Sequence, residues 1–416
     1  MLADAEADAV ERRAIRVRGA VQGVGFRPFV YRLATGLGLS GSICNDAEGV
    51  LIEAQGAPQT LARFERALRR EAPVLARVTS VESAPRQRVA HERGFAILDS
   101  RAGRVTTAIA PDTATCDECL RELFDPADRR YRYAFVNCTN CGPRFTITRA
   151  LPYDRATTSM APFALCPQCA REYADPADRR FHAEPNACPL CGPRLELVDA
   201  QGAPIAGDAI ATAIALLRAG RIVAIKGLGG FHLACDACNA DAVAALRTRK
   251  QREAKPFAVM APDVDAARRW VHLDAAAQAL LNSASRPIVL LPLRADRPAA
   301  LAGVAPGLDT LGVMLPTTPI QFLLAHDAPD LLLVMTSANP GGEPLVVDND
   351  EALQRLHGIA DALLLHDRDI VARCDDSVVR VTARGAPQFV RRARGYTPLP
   401  IRLPRGGPSV LATGGW

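Results

Sequence analysis

The stretch CDECLRELFDPADRRYRYAFVNCTNCGPR, Cys116 to Arg144, is written again as CPQCAREYADPADRRFHAEPNACPLCGPR, Cys166 to Arg194. Both copies carry Asp-Pro-Ala-Asp-Arg-Arg at the same place and close on Cys-Gly-Pro-Arg, so the segment is a duplication. Eight of the twelve cysteines fall in four Cys-x-x-Cys turns: Cys116/Cys119, Cys138/Cys141, Cys166/Cys169 and Cys188/Cys191. Such a turn aims two thiolates at one tetrahedral cation. The N-terminus, MLADAEADAVERRAIRVRG, has no apolar export segment, which favours reduced thiols over disulfides. Four thiolates saturate zinc and leave no open position for catalysis, so two structural zinc sites are expected. Segments this short and polar bury little apolar surface, and the metal would supply most of their folding free energy. Spacing does not fix the pairing of the turns. Four ligands from one copy is the simpler arrangement; the alternative is interleaved, with outer turns on one metal and inner turns on the other.

A chain of 416 residues divides into two or more domains. Its net charge of +5, from 50 basic and 45 acidic residues, is spread along the sequence and forms no nucleic-acid footprint. No stretch approaches the roughly 18 apolar residues of a membrane span, and a cytoplasmic protein is expected. A fifth pair, Cys235/Cys238, has no second turn nearby and is read as buried or incidental. Cys44 and Cys374 are single and receive no role.

Residues 1–100 read as a small α+β domain. AIRVRGAVQ alternates as a strand, RPFVYRLATGLG is a helix, LSGSICND and GVLIEAQG form a hairpin, TLARFERALRREA is a helix and ARVTSVESAPRQ a strand. That βαββαβ order is ferredoxin-like. Between the first strand and helix lie Gln22, Gly23, Val24, Gly25, Phe26 and Arg27, where glycines let backbone N–H groups converge on a phosphate and Arg27 adds a fork. With VQGVGFR intact and Gly41-Ser-Ile-Cys-Asn45-Asp-Ala-Glu-Gly49 following, this domain resembles the acylphosphatase family. The resemblance implies that Arg27 holds the phosphoryl oxygens of an acyl phosphate and that Asn45 orients the attacking water.

Residues 101–196 hold the tandem four-cysteine module, and residues 197–405 read as an α/β domain with a mixed twisted sheet. DAIATAIALLRAGRIVAIKGLGGFHLACDA gives a helix, a short strand and a glycine-rich turn, then the helix NADAVAALRTRK. Further strands are expected at PFAVM, RPIVLLPL, LLLVMTSA, VVRV and QFVRRA. Basic residues Lys250, Arg252 and Lys255 cluster at a helix end, where the dipole favours cations. Together with Thr336, Ser337 and Asn339 they resemble the Lys-x-Arg and Ser-x-Asn pairs of the YrdC-type nucleotide-binding family. That likeness implies phosphate contacts for the basic residues and placement of nucleotide and acyl group by the others. Where YrdC proteins that make threonylcarbamoyl-adenylate carry Pro-Thr-x-Thr-x-Tyr-Gly-Leu, this chain has Ala224-Ile-Lys226-Gly-Leu-Gly-Gly-Phe-His232-Leu, which points to a smaller acyl acceptor or a bare carbamate. Lys226 is either near that charge or a surface lysine; His232 is either a packed histidine or a carbamoyl contact. Asp375-Asp376-Ser377 and the arginines of FVRRARGYTP either finish the nucleotide site or form a domain junction.

The order acylphosphatase, doubled four-cysteine module, YrdC-like domain resembles the HypF family of hydrogenase-maturation carbamoyltransferases. The resemblance implies carbamoyl phosphate and ATP with magnesium as substrates, carbamate and carbamoyl-adenylate as intermediates, and HypE as final acceptor, with no nucleic acid and no membrane. It implies that residues 406–416, GGPSVLATGGW, are an incoming strand and turn of a TsaD-like transferase domain that this chain lacks. The alternatives are a threonylcarbamoyl-adenylate synthase fused to an acylphosphatase and a non-enzymatic zinc-repeat module. On the HypF reading the copies act as a rigid spacer between two reactive sites.

Overall fold

The computed structural model describes residues 10–411 apart from 74, 102–107, 297–298, 341–342, 402 and 404. The first unit runs β1 (Glu11–Ala20), α1 (Phe26–Gly36), β2 (Ser40–Asp46), β3 (Gly49–Gly56), α2 (Pro58–Arg70), β4 (Arg77–Arg86) and β5 (Phe95–Ile97). Strand order is β4-β1-β3-β2-β5. The first four strands pair antiparallel, as the ferredoxin-like reading requires. The short β5, which the sequence pattern does not announce, adds parallel to β2. Ile15 and Val17 of β1 alternate inward, and Leu61, Phe64 and Leu68 recur at helical spacing on α2, so both elements bury one face in a common core.

The duplicated segment holds little regular structure: one short helix per copy, α3 (Asp117–Phe124) and α4 (Pro167–Ala174), each beginning directly after the first cysteine of its copy. The copies grip each other. Arg129 and Arg130 of the first reach Glu172 on α4 and the Cys169 sulfur of the second. Arg179 and Arg180 of the second reach Glu122 on α3, and Arg179 also reaches the Cys119 sulfur. Burial alone would raise the Glu172 carboxyl, but Arg130 and Arg129 hold it at about 2.

The third unit contains β6 (Leu195–Asp199), α5 (Ala209–Arg218), β7 (Val223–Lys226), β8 (Phe231–Asp236), α6 (Ala240–Arg249), β9 (Ala258–Met260), α7 (Val264–Arg268), α8 (Ala275–Leu281), β10 (Ile288–Pro292), β11 (Thr310–Met314), α9 (Pro319–Asp327), β12 (Leu333–Ser337), α10 (Asn349–Arg355), β13 (Ala362–His366), β14 (Val378–Val381) and β15 (Pro387–Arg391). The mixed sheet has the order β15-β14-β10-β11-β9-β12-β8-β7-β13-β6. Strand alternation sends Ala224, Leu233, Val334 and Leu363 to one face, under α6, α7, α8 and α10. Val223, Ile225, Ala234 and Leu364 go to the other face, under α5 and α9. Leu123, Phe135, Val136 and the cysteines Cys119, Cys138 and Cys141 pack into that second core, so the first copy is welded to the sheet. Cys166, Cys169 and Cys188 form a separate small cluster.

Two expectations need correction. FHLACD is not a turn leading into a helix but strand β8, because it is hydrogen-bonded on both edges, to β7 and β12. Cys235 is therefore core and Cys238 exposed beyond the strand end, outside either cluster of metal-binding side chains. The strand expected in GGPSVLATGGW is not formed over residues 406–411, which run exposed and irregular without a partner strand; residues 412–416 lie outside the described residues. No helix among the described residues is long and apolar enough to cross a membrane.

Candidate functional sites

The thiols sort by copy. Cys116, Cys119, Cys138 and Cys141 converge within 4.8 Å of one another, as do Cys166, Cys169, Cys188 and Cys191, which excludes interleaving. Three of the six sulfur pairs in each cluster stand close, 3.5–3.9 Å apart in the first and 3.6–3.8 Å apart in the second. A tetrahedral ion with zinc–sulfur bonds of about 2.3 Å sets its ligands about 3.8 Å apart, so both cages fit zinc and both are closed.

The loop before α1 is shaped by Gly23 and Gly25, with φ of 71° and 72°, the left-handed region that a side chain disfavours. Arg27 is thereby placed in the first turn of α1, whose N-terminus favours anions. Gln22 ties the loop to the β2–β3 turn, donating to the carbonyls of Asp46 and Gly49, each at 2.7 Å. Asn45 lies on β2 beside that turn, buried, with neither its amide nitrogen nor its oxygen bonded. Buried side chains of this kind are normally satisfied, and the two atoms are free for a water or a ligand.

The duplicated module walls this loop. Arg144, of the first Cys-Gly-Pro-Arg, donates to the Gly23 carbonyl and to those of Cys138, Thr139, Cys141 and Pro143. Tyr153 packs beneath Gly23, and its backbone N–H donates to Gln22. Arg27 itself pairs with Glu184 at 2.7 Å and Asp154 at 3.2 Å. Glu184 also accepts from Tyr173 Oη at 2.9 Å and Arg155 N at 3.0 Å. Burial pushes its carboxyl up, and Arg27 opposes the shift. Reading the sequence missed Glu184, though a signal was present: at the equivalent place the first copy has Ala134, so the duplication is broken where the second copy meets Arg27. Removing one partner of a buried ion pair costs about 3–5 kcal/mol. Glu184→Ala is accordingly expected to lower stability by about 3 kcal/mol, read as an earlier midpoint in urea unfolding, with Glu184→Gln losing less.

The sequence-selected residues of the third unit divide. Arg252, Lys255, Thr336 and Ser337 line a cavity of ≈ 390 Å³ with apolar walls from Ile288, Leu290, Met335, Val378 and Val390. Lys250 and Asn339 stand behind it: Lys250 Nζ donates to the Ser337 carbonyl at 2.7 Å and Asn339 Oδ1 at 3.2 Å, and Ser337 Oγ donates to the same Oδ1 at 2.9 Å. Arg252 donates to Thr336 Oγ1 at 2.9 Å. Burial, then Arg252 and Lys255, push the Lys250 ammonium down to about 8; burial, then Arg247 and Arg391, push Arg252 to about 10. Cations that depress one another in this way hold surplus positive charge that an anion would relieve.

Lys226 and His232 do not line that cavity. His232 borders a water-sized space of ≈ 10 Å³ with Gly227–Gly230, Thr317, Cys374, Asp375, Asp376 and Arg394. Its Nε2 meets Asp376 Oδ2 at 2.7 Å, Arg394 holds Asp376 Oδ1 at 2.7 Å, and its Nδ1 is unbonded. His232 is thus a bonded side chain facing a cavity, with one nitrogen left over. A Cβ on Gly229 would stand 2.2 Å from the Cys374 carbonyl, so the glycine-rich turn is required by close approach of the segment between β13 and β14. Asp375 and Asp376 line both spaces, so the cavity at His232 and the larger pocket have a wall in common. Lys226 is not at the surface: it is buried, donates to Asn349 Oδ1 at 2.7 Å and the His366 carbonyl at 3.0 Å, and is pushed to about 8 by burial. It lines a further cavity of ≈ 20 Å³ that shares Gly227, Leu228, Thr317 and Thr318 with the one at His232 and is closed on its far side by Ala134–Val136 and Gly142–Pro143 of the first copy.

Family models match the chain in three places: acylphosphatase over residues 13–97, the HypF finger over 115–148 and 165–198, and a family described as "telomere recombination" (Sua5/YciO/YrdC) over 215–393. Carbamoyltransferase HypF2 of Cupriavidus necator is 62% identical over 419 residues, covering 96% of this chain and 52% of that protein. Carbamoyltransferase HypF of Rhizobium leguminosarum bv. viciae is 56% identical over 411 residues, covering 97% and 52%. A crystal structure of full-length HypF in a phosphate- and nucleotide-bound form superposes with TM-score 0.91 at 47% identity, covering 95% of this chain and 52% of that one. The chain spans about half the length of the curated relatives it matches. With the three modules in this order, and with a likeness to HypF proteins over nearly its whole length, the chain belongs to the HypF carbamoyltransferase family.

Proposed function

We propose that this chain hydrolyses carbamoyl phosphate to carbamate and phosphate in its first unit and joins the carbamate to AMP in its third. Arg27 and the N–H groups of residues 23–26 hold the phosphoryl group, and Asn45 directs a water at phosphorus; the carbamoyl oxygen leaves with the bonding pair. Charge stabilisation and positioning suffice for this step, with no side-chain nucleophile. A carbamate oxygen then attacks the α-phosphorus of ATP, expelling pyrophosphate and leaving carbamoyl-adenylate. Lys250, Arg252 and Lys255 offset the triphosphate charge, with magnesium as its counter-ion, and Thr336, Ser337 and Asn339 place nucleotide and acyl group. Lys226 and His232 serve the carbamate side. Zinc fills both thiolate cages in a structural role, and the carbamoyl group goes on to HypE through a transferase region such as the longer relatives have room for.

The observation that carries this reading is the placement of the cavities. The small space lined by Lys226 and by Ala134–Val136 of the first copy shares walls with the one at His232, which shares Asp375 and Asp376 with the basic pocket of ≈ 390 Å³. Arg144, next to Pro143 of the first wall, grips the Arg27 loop. Carbamate decomposes in water, and a route inside the protein would preserve it. Exchange of labelled pyrophosphate into ATP is expected to require carbamoyl phosphate and to ignore threonine. A requirement for threonine, or exchange without carbamoyl phosphate, would overturn the assignment.

A further inference from the structure

Seven arginines are deeply buried among the described residues: Arg12, Arg27, Arg130, Arg144, Arg180, Arg368 and Arg394. Six of them are paired. Arg12, Arg27, Arg130, Arg180 and Arg394 meet carboxylates, and Arg144 donates to five backbone carbonyls. Arg368 is the exception. It follows β13, is 6% exposed, lies over the Phe135 ring at 5.1 Å, and makes no hydrogen bond or ion pair with any described residue. Asp112 and Asp367 act on it only from beyond hydrogen-bond distance. A buried charge is normally paired and hydrogen-bonded, so its N–H donors are left for a partner that is not part of the protein.

Its surroundings match. Arg368 lines the ≈ 20 Å³ cavity with Lys226, His366 and Thr113. Thr113 Oγ1 is buried without a partner, and the His366 ring nitrogens sit against the backbone of Gly227 and Arg368 without a well-formed hydrogen bond. No carboxylate lines the space, and Phe135, Val136, Leu228 and Ile320 keep it apolar elsewhere. Two cations and a free hydroxyl in a small chamber select a compact anion, and a guanidinium fork favours a planar one that accepts two parallel N–H bonds. The volume excludes a nucleotide.

We propose that this chamber is a holding site for a small planar oxyanion, which on the function proposed above is carbamate in passage between the two reactive sites. On one side it shares lining residues with the space at His232; on the other, Pro143 directly precedes Arg144, which grips the Gly23 carbonyl. Arg368 binds the carboxylate face of the anion, and Lys226 and Thr113 complete its hydrogen bonds.

Nitrate, planar and singly charged, is the probe. In crystals of the protein soaked with sodium nitrate, density is expected against Arg368, with two oxygens on the guanidinium, and none is expected in Arg368→Met. In solution the pyrophosphate formed per phosphate released from carbamoyl phosphate is expected to fall about tenfold in Arg368→Met and to recover in part in Arg368→Lys, which keeps the charge without the fork. An empty chamber in nitrate-soaked wild-type crystals, or an unchanged ratio in Arg368→Met, overturns the holding site. Should Arg368→Met fail to fold, the wild-type soak and the ratio in Arg368→Lys decide in the same way. Failure of the wild-type protein to release phosphate from carbamoyl phosphate sinks the functional reading instead, and the nitrate soak still decides the anion site.

Discussion

Phosphate release from carbamoyl phosphate is expected to fall by about a thousandfold in Arg27→Ala, the scale seen when a preorganised charge-stabilising donor is removed. The cause is geometric as well as electrostatic. Two left-handed glycines deliver Arg27 into the first turn of α1, where the helix N-terminus already favours an anion, and Glu184 and Asp154 fix the direction of its guanidinium. Arg27→Lys should recover little, because an ammonium offers no planar fork. The arginine variant also leaves Glu184 buried and unpaired, so its fold must be followed by circular dichroism. Asn45→Ala separates the effects: it breaks no bond, since neither side-chain atom of Asn45 has a partner, and it is expected to lose activity with little change in unfolding midpoint. Initial-rate phosphate assays that retain more than about a tenth of wild-type turnover in Arg27→Ala would remove the arginine from the reaction.

Metal loss in the first copy is expected to spread to the second. Cys119 belongs to the first thiol cluster, its sulfur also receives Arg179 of the other copy at 3.2 Å, and the neighbouring Glu122 anchors both Arg179 and Arg180. Without a metal, α3 loses its fixed end, and the two arginines lose their acceptors. A structural zinc site in a small module supplies about 10–16 kcal/mol of folding free energy. Cys119→Ser should therefore retain less than one metal per chain by elemental analysis and melt well below the wild type. Cys191→Ser should spread its loss to the first copy in the same way, because its neighbour Cys169 receives Arg129 and Arg130, and Glu172 anchors both. Retention of one full metal per chain in both variants would show that the copies bind metal independently. Both copies also supply walls to other sites, Phe135 from the first and Glu184 from the second, so they do more than set a distance between domains.

What could be read from the sequence was whatever is written locally. The cysteine turns are short patterns whose spacing already implies their geometry, while the VQGVGFR loop and the Lys-x-Arg and Ser-x-Asn pairs were legible through their resemblance to known families. The ferredoxin-like order was legible because strand and helix periodicities alternate cleanly over residues 11–86. β8 was not, because its glycine-rich entry obscured a strand that is fixed only by neighbours distant in sequence. The partners of Arg27, the His232–Asp376 contact and the isolation of Arg368 depend on residues that only the tertiary structure brings together. Some of that was still available at positions where the copies disagree. Ala134 against Glu184, and Phe135 against Pro185, mark where each copy faces a different neighbour.

The exchange of arginines between the copies has one further consequence. Residue i of the first touches residue j of the second, and residue j of the first touches residue i of the second: Arg130 with Glu172, and Glu122 with Arg180. That is the contact rule of an isologous interface, the kind that joins identical subunits about a two-fold axis. The duplicated module is thus a symmetric dimer carried within a single polypeptide, and because its halves are encoded separately, each was free to specialise toward a different enzyme site without breaking the interface that holds them.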